Sequence, residues 1–285
     1  MTQYQTHTLT VHLDLEPLGQ IPLTAAYLAA GEGTPLLMLH GFLSEKACWL
    51  PLIEQLKSNF HCISLDLLGF GASAKPNIRY NISLEIAFVR QVVAALQLEN
   101  FYIIGHSFGS WVAAAYALEY GNSVAGLFLT APAGIRDDSF CGRYNHLLPI
   151  LWKTPVVDWA LQLAQPWAKL TGKQQLMAQI CWMRQELMAN PAALSYVIDR
   201  QRPEDAIDTV EKDIHRLKVP TLVIAAEADE TIPLWHSETY ANEIPGAQLQ
   251  IVAGADHSLP QKHPTELAQA IQQFLQHQSL LNAQS

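Results

Sequence analysis

Apolar strands alternating with helical stretches predict an α/β fold: a mostly parallel sheet covered by helices on both faces. Three observations carry this reading. Most strand candidates are continuous apolar runs, as strands buried on both faces must be. Helical patterns separate these runs, as a parallel crossover requires. Residues able to do chemistry gather where the runs stop, which is where open α/β sheets place their sites. A chain of 285 residues allows one large domain, or one domain with an insertion.

The elements follow in order. Two alternating runs, "HTLTVHLDL" and "IPLTAAYLA", flank the turn-rich "EPLGQ" and predict an antiparallel pair. "EGTPLLMLHGF" supplies a short buried strand, Leu36–Leu39, ending in His40-Gly41-Phe42. A helical pattern covers about 45–57. "HCISLDLLGFGAS" is a strand that ends at Asp66 and opens into a Gly-rich loop. Ser83 is placed to cap a helix running to about Leu96, with Ile86, Val89, Val93 and Leu96 on one face. Phe101–Ile104 reads as a short strand, Ser110–Glu119 as a helix and "VAGLFLTAP" as a strand at about 125–131. "VPTLVIAAEAD" and "AQLQIVAGADH" are the last two strands. Helical patterns follow them near 235–243 and 264–277, the second with Pro264 in its first turn.

One interval breaks the rhythm. Between about 135 and 218 there is no clear strand pattern, only helical stretches punctuated by Pro149, Pro155, Pro166 and Pro191. The expected organisation is a core domain of residues 1–134 and 219–285, with a helical cap inserted over 135–218. Trp152, Trp159, Trp167 and Trp182 fall in the insertion, with Met177, Met183 and Met188. Singly they read as the insertion's own core; together they suggest a lid with an apolar underside.

Composition narrows the function classes. A net charge of −9 with no dense Lys/Arg run argues against a nucleic-acid surface. The N-terminal stretch lacks the basic and apolar regions of a secretion signal, so the cytoplasm is the expected location. The longest apolar stretches, such as "WVAAAYAL", are too short to span a bilayer. Cys48, Cys62, Cys141 and Cys181 form no Cys-x-x-Cys pair, and the 11 histidines show no His-x-x-x-His spacing. No metal or other cofactor is therefore expected. "GFGAS" lacks the third glycine of a dinucleotide fingerprint and reads as a tight turn.

"FYIIGHSFGSW" raises a sharper possibility. A Gly-x-Ser-x-Gly spacing arises by chance in roughly one chain of this length in ten, so its context must decide. A nucleophilic serine needs a base, an acid to orient that base, and donors for an oxyanion. Ser107 lies at a strand-to-helix junction, where a sharp turn would expose its hydroxyl and aim the Phe108 N–H at a substrate carbonyl. His257, after the last strand and before the last helix, is the expected base, and His263 the cap of that helix. Asp229, after the preceding strand, is the expected orienting acid, with Glu227, Glu230 and Asp256 as competitors. Phe42 is the expected second oxyanion donor. His40 reads as a brace beneath that loop, and His106 as a packing or pocket-wall residue. Both, with Trp152 and Trp182, are candidate substrate-pocket residues.

Taken in order, "LHGF", "DLLGFGAS", "GHSFG", "EADETIP" and "GADH" resemble the α/β-hydrolase family in its lidded serine branch, over nearly the whole chain. The resemblance implies an eight-stranded, mostly parallel sheet and a cap after the sixth strand. It implies the triad Ser107, Asp229 and His257, in the family's own chain order, with Phe42 and Phe108 N–H groups as the oxyanion hole. Two positions depart from its commonest pattern. Ser110 stands where a second glycine is frequent, and Asp256, where a small residue is frequent, is placed to raise the His257 pKa by charge.

The leading expectation is a serine hydrolase that cleaves a carboxylic ester of a hydrophobic small molecule through an acyl-enzyme. The same resemblance leaves open carbon–carbon bond hydrolysis, thioester hydrolysis, cofactor-free haloperoxidation and a pyruvate-eliminating lyase. A small-molecule receptor with little turnover is the alternative of another class.

Overall fold

A computed structural model describes residues 4–15, 19–137, 145–198 and 208–282. Residues 16–18 of the expected first turn, and Cys141, lie outside the described residues. The chain divides into two compact units. One comprises Met1–Ala74, Asn81–Arg136 and Asp208–Ser285; the other comprises Lys75–Tyr80 and Asp137–Ile207.

The first unit is built on one sheet of eight strands: β1 (Thr6–Leu15), β2 (Gly19–Ala30), β3 (Thr34–Leu39), β4 (Phe60–Leu65), β5 (Phe101–His106), β6 (Val124–Thr130), β7 (Thr221–Ala226) and β8 (Gln248–Val252). Their spatial order is β1-β2-β4-β3-β5-β6-β7-β8. β1 and β2 pair antiparallel, as do β2 and β4, and every later pairing is parallel. This is the α/β architecture expected from the sequence. Leu36–Leu39 of β3 and Leu127–Leu129 of β6 are fully buried, as helix cover on both faces demands. β8, at the sheet edge, alternates in exposure instead.

The helices of this unit are α1 (Leu50–Leu56), α2 (Ile82–Ala95), α3 (Phe108–Tyr120), α7 (Leu234–Glu243), α8 (Leu259–Lys262) and α9 (Pro264–Asn282); α4 to α6 belong to the second unit. The stretch expected as a single helix over 45–57 is divided into a 3-10 turn, Lys46–Trp49, and then α1. Pro51 has no backbone N–H and opens a helix well, so α1 starts there; the Lys46 N–H, at the start of the 3-10 turn, donates to Asp66 Oδ1 at 2.6 Å. The cap of α2 is Asn81 rather than Ser83: its side chain accepts from the Leu84 N–H at 2.9 Å.

In the second unit, α4 (Pro155–Leu170) contacts α5 (Gln174–Ala189), which contacts α6 (Pro191–Ile198), and Leu151, Ala168, Leu187, Ala192, Ala193, Leu194 and Tyr196 are buried. Arg184 binds Asp158 bidentately, at 2.8 and 3.0 Å, and also donates to the carbonyls of Ile150 and Trp152, so α5 holds the entry of α4. Lys75 Nζ donates to Asn190 Oδ1 at 3.0 Å and the Tyr80 N–H to Ser195 Oγ at 3.0 Å, which joins the short segment 75–80 to this unit. The four tryptophans read singly as core are exposed. The interior uses mainly small and aliphatic side chains, which let the helices approach closely. Among the described residues, no helix is long and apolar enough to cross a membrane.

Candidate active site

The site residues of the first unit meet at the carboxyl ends of β3, β5, β7 and β8. Ser107 joins β5 to α3 with φ 52° and ψ −114°, a conformation that L side chains rarely adopt. The glycines beside it serve close approach rather than positive φ. A Cβ on Gly105 would stand 2.4 Å from the Gly109 carbonyl oxygen, and one on Gly109 would stand 2.1 Å from that of Leu39. Both glycines let α3 start hard against β5 and β3, and that leaves Ser107 to take the strained turn.

Hydrogen bonds hold the turn from below. The Ser107 N–H donates to the Thr130 carbonyl at 2.9 Å, and the Ser107 carbonyl accepts from Ser110, Trp111 and Ala133 N–H groups at 3.0, 3.3 and 3.2 Å. The buried Ser110 hydroxyl accepts from the Thr130 N–H at 3.1 Å and donates to the Thr130 carbonyl at 3.2 Å, while Thr130 Oγ1 donates to the Gly105 carbonyl at 2.7 Å. Tyr240 Oη donates to the Ala133 carbonyl at 2.7 Å. Thr130 and Tyr240 escaped the sequence reading. Ser110 had one sign there, as a hydroxyl where relatives often carry glycine.

Asp229 and His257 are brought together. His257 Nδ1 lies 2.7 Å from Asp229 Oδ2, with the Asp229 side chain 1% exposed and that of His257 23%. Asp229 Oδ1 accepts from the Thr231 and Ile232 N–H groups at 2.8 and 2.9 Å, so the carboxylate is fixed on both oxygens. Because a carboxylate only accepts, His257 Nδ1 is the donor of this bond, which turns Nε2 away from Asp229. Ser107 Oγ makes no hydrogen bond among the described residues. The competing acids are engaged elsewhere or solvated. Glu227 accepts from the Gly254 N–H at 2.8 Å, Glu230 is exposed, and Asp256 pairs with Lys262 and accepts from the Ser258 N–H at 2.9 Å. The charge of Asp256, expected to act on His257, is thus balanced by Lys262.

The two other histidines act through the backbone. His40 is fully buried; its Nε2 accepts from the Leu67 N–H at 3.1 Å, and its Nδ1 donates to the Gly41 carbonyl at 2.7 Å. Burial holds its pKa below the ordinary histidine range. It braces the end of β3 against the loop after β4, and with both nitrogens engaged and no exposed surface it does not line a pocket as expected. His106 is also buried, and its Nε2 donates to the His257 carbonyl at 2.7 Å. Its pKa is lowered to about 3, chiefly by burial and then by His257, so the ring is neutral at physiological pH. Trp49 stacks edge-on against it, at 6.5 Å between centroids.

Phe42 lies in the turn after β3, closed by the Ser44 N–H to the Gly41 carbonyl at 3.3 Å, and Phe108 is the first residue of α3. Their rings stand 6.2 Å apart and each is 6.0 Å from that of Phe70, an aromatic group beside the serine turn. The Gly-rich loop that carries Phe70 is a pair of turns, with Phe70 N–H to Leu67 and Ser73 N–H to Phe70 both at 3.1 Å. Asp66 anchors it through the Ala72 N–H at 2.8 Å and a buried ion pair with Lys46 Nζ at 2.7 Å. Trp152 and Trp182 lie in the second unit, on exposed surface.

Known proteins match this chain along most of its length. It is 26% identical over 262 residues to human (Homo sapiens) monoacylglycerol lipase ABHD6, covering 86% of this chain and 76% of that protein. It is 28% identical over 256 residues to 2-hydroxymuconate semialdehyde hydrolase of Pseudomonas sp. (strain CF600), covering 86% and 88% of the two chains. A solved thermophilic esterase from Thermogutta terrifontis shares the fold at a TM-score of 0.72 and 23% identity, covering 95% of this chain and 98% of its own. The sequence model of the alpha/beta hydrolase family matches residues 36–270. That stretch runs from β3 into α9 and takes in the carboxyl ends of β3, β5, β7 and β8, so the chain belongs to the alpha/beta hydrolase family.

Proposed function

We propose that this protein is a serine hydrolase that cleaves a carboxylic ester of a hydrophobic small molecule through an acyl-enzyme. The observation that carries the reading is the 2.7 Å pair of His257 and Asp229, at the same sheet end as the strained Ser107 turn. Ser107 Oγ attacks the ester carbonyl carbon and His257 Nε2 takes the hydroxyl proton. Asp229 keeps the ring oriented and balances the imidazolium that forms. The carbonyl oxygen, now an oxyanion, is met by the Phe42 and Phe108 N–H groups; one such donor is worth roughly 3–4 kcal/mol. The tetrahedral intermediate collapses as His257 returns the proton to the leaving alcohol. Water then attacks the acyl-enzyme, with His257 again as base, and releases the acid. Phe42, with the edge of Phe108 beside it and the buried Phe70 packed behind, offers an apolar surface suited to an acyl or aromatic group.

A fluorophosphonate is expected to add one covalent label at Ser107, and Ser107→Ala to lose both the label and ester turnover. Full ester hydrolysis by Ser107→Ala would sink the mechanism. A second reading, carbon–carbon bond hydrolysis of a diketone-type substrate with the same residues, is favoured by the 28% identity to the semialdehyde hydrolase. Product identification across ester, thioester and diketone substrates separates the two.

A further inference from the structure

In α4 most of the large apolar side chains are exposed. Val157, Leu161, Ala164 and Ala168 are its less exposed apolar residues and recur at helical spacing along one side. Val156, Trp159, Leu163, Trp167 and Leu170 form a second stripe, within roughly 80° of arc at helical pitch. Trp159, Leu163, Trp167 and Leu170 are 60, 75, 71 and 81% exposed. Together they present an apolar strip on the order of several hundred Å², the size at which exposed apolar surface marks an interaction site.

Charge indicates the occupant. The chain carries a net −9, yet residues 152–173 hold three lysines, Lys153, Lys169 and Lys173, and a single acid, Asp158, already paired with Arg184. All three lysines are exposed, two bracketing the helix and one at its flank. A second copy docked antiparallel on the stripe would set these lysines against each other. An anionic lipid surface satisfies both features. Aromatic and leucyl side chains enter the headgroup boundary, and long lysine stems carry their charge to the headgroups. At 16 residues, or about 24 Å, an amphipathic helix lies along such a surface rather than through it.

We propose that α4 docks this protein flat on an anionic lipid surface, through Val156, Trp159, Leu163, Trp167 and Leu170, with Lys153, Lys169 and Lys173 on the headgroups. This does not depend on the catalytic reading. The test is flotation of the full chain with vesicles of phosphatidylcholine containing phosphatidylglycerol, beside phosphatidylcholine alone, at low and high salt. Wild type is expected to float with the anionic vesicles, to be released by salt, and to have tryptophan emission quenched by brominated phospholipid. Trp159→Glu with Trp167→Glu is expected to weaken partitioning at least tenfold. Lys153→Glu, Lys169→Glu and Lys173→Glu together are expected to remove only the preference for anionic vesicles. Circular dichroism melts report whether each variant folds; the quenching arm needs no variant. The proposal is overturned if wild type ignores both vesicles, or if binding survives the paired tryptophan substitutions in a folded chain. It is equally overturned if light scattering shows a dimer that those substitutions split while vesicle binding is nil.

Discussion

His106 Nε2 donates to the main-chain carbonyl of His257 at 2.7 Å, so the residue before the serine holds the loop that carries the proposed base. The carbonyl can only accept, and burial keeps His106 neutral with its Nε2 proton in place. His106→Ala would orphan that carbonyl, costing about 1–3 kcal/mol of stability. It is also expected to slow fluorophosphonate labelling of Ser107 about tenfold or more, because a base displaced even slightly loses its alignment. Unchanged labelling rate and unchanged urea midpoint together would show that the contact positions nothing.

Asp229 is fixed through both oxygens, so its removal should disorient His257 without unfolding the sheet. Asp229→Asn is expected to lower kcat by a factor on the order of 10⁴, since an amide favours the wrong imidazole tautomer. Glu230→Gln, at an exposed neighbour, is expected to leave kcat within about twofold. Steady-state kinetics on one soluble ester compares them; similar losses in both would misassign the acid.

Gly109 and Gly246 make opposite demands on an added methyl. At Gly109 it would meet the Leu39 carbonyl oxygen at 2.1 Å, whereas at Gly246 nothing lies within 4 Å. Gly109→Ala is expected to cost about 3 kcal/mol or more, or to prevent folding, because backbone rather than a movable side chain blocks it. Gly246→Ala, at φ 73°, is expected to cost about 1 kcal/mol from conformation alone. Thermal melts of the pair measure the difference.

Two buried groups give stability opposite pH slopes. The unfolded chain protonates His106 near 6.5, while the folded chain resists until about 3. Between those values the unfolded state binds more protons, and acid removes roughly 1.4 kcal/mol per pH unit on this account. Glu85 behaves oppositely. It is fully buried, with one oxygen accepting from the Leu68 N–H at 3.1 Å, and burial raises its pKa well above 4.5. The folded state keeps that proton longer, so stability falls as pH rises from 4.5 toward the raised value. His106→Gln is expected to flatten the acid limb of urea stability, and Glu85→Gln the decline on the other side. Slopes untouched by both variants would mean that neither group titrates this way.

The sequence by itself determined the sheet, its strand ends and the chain order of Ser107, Asp229 and His257. Continuous apolar runs leave few alternatives to a covered parallel sheet, and chemistry-bearing residues at successive run ends stand out by position alone. It named Asn81's neighbour Ser83 as the cap, because capping depends on where the first helical turn closes, which spacing locates only to within a residue or two. Taken singly, the tryptophans of the insertion read as core and are exposed, because a side chain's size shows what it can bury and not which side of its helix meets another. Only the tertiary structure decided that Gly105 and Gly109 answer to neighbouring backbone, that Ser110 and Thr130 lock the turn beneath Ser107, and that His106 reaches the His257 carbonyl. Apart from the approach of Gly105 to Gly109, these are contacts between segments distant in sequence. Their partners are set by how the strands are ordered, and no local pattern encodes a distance across the sheet.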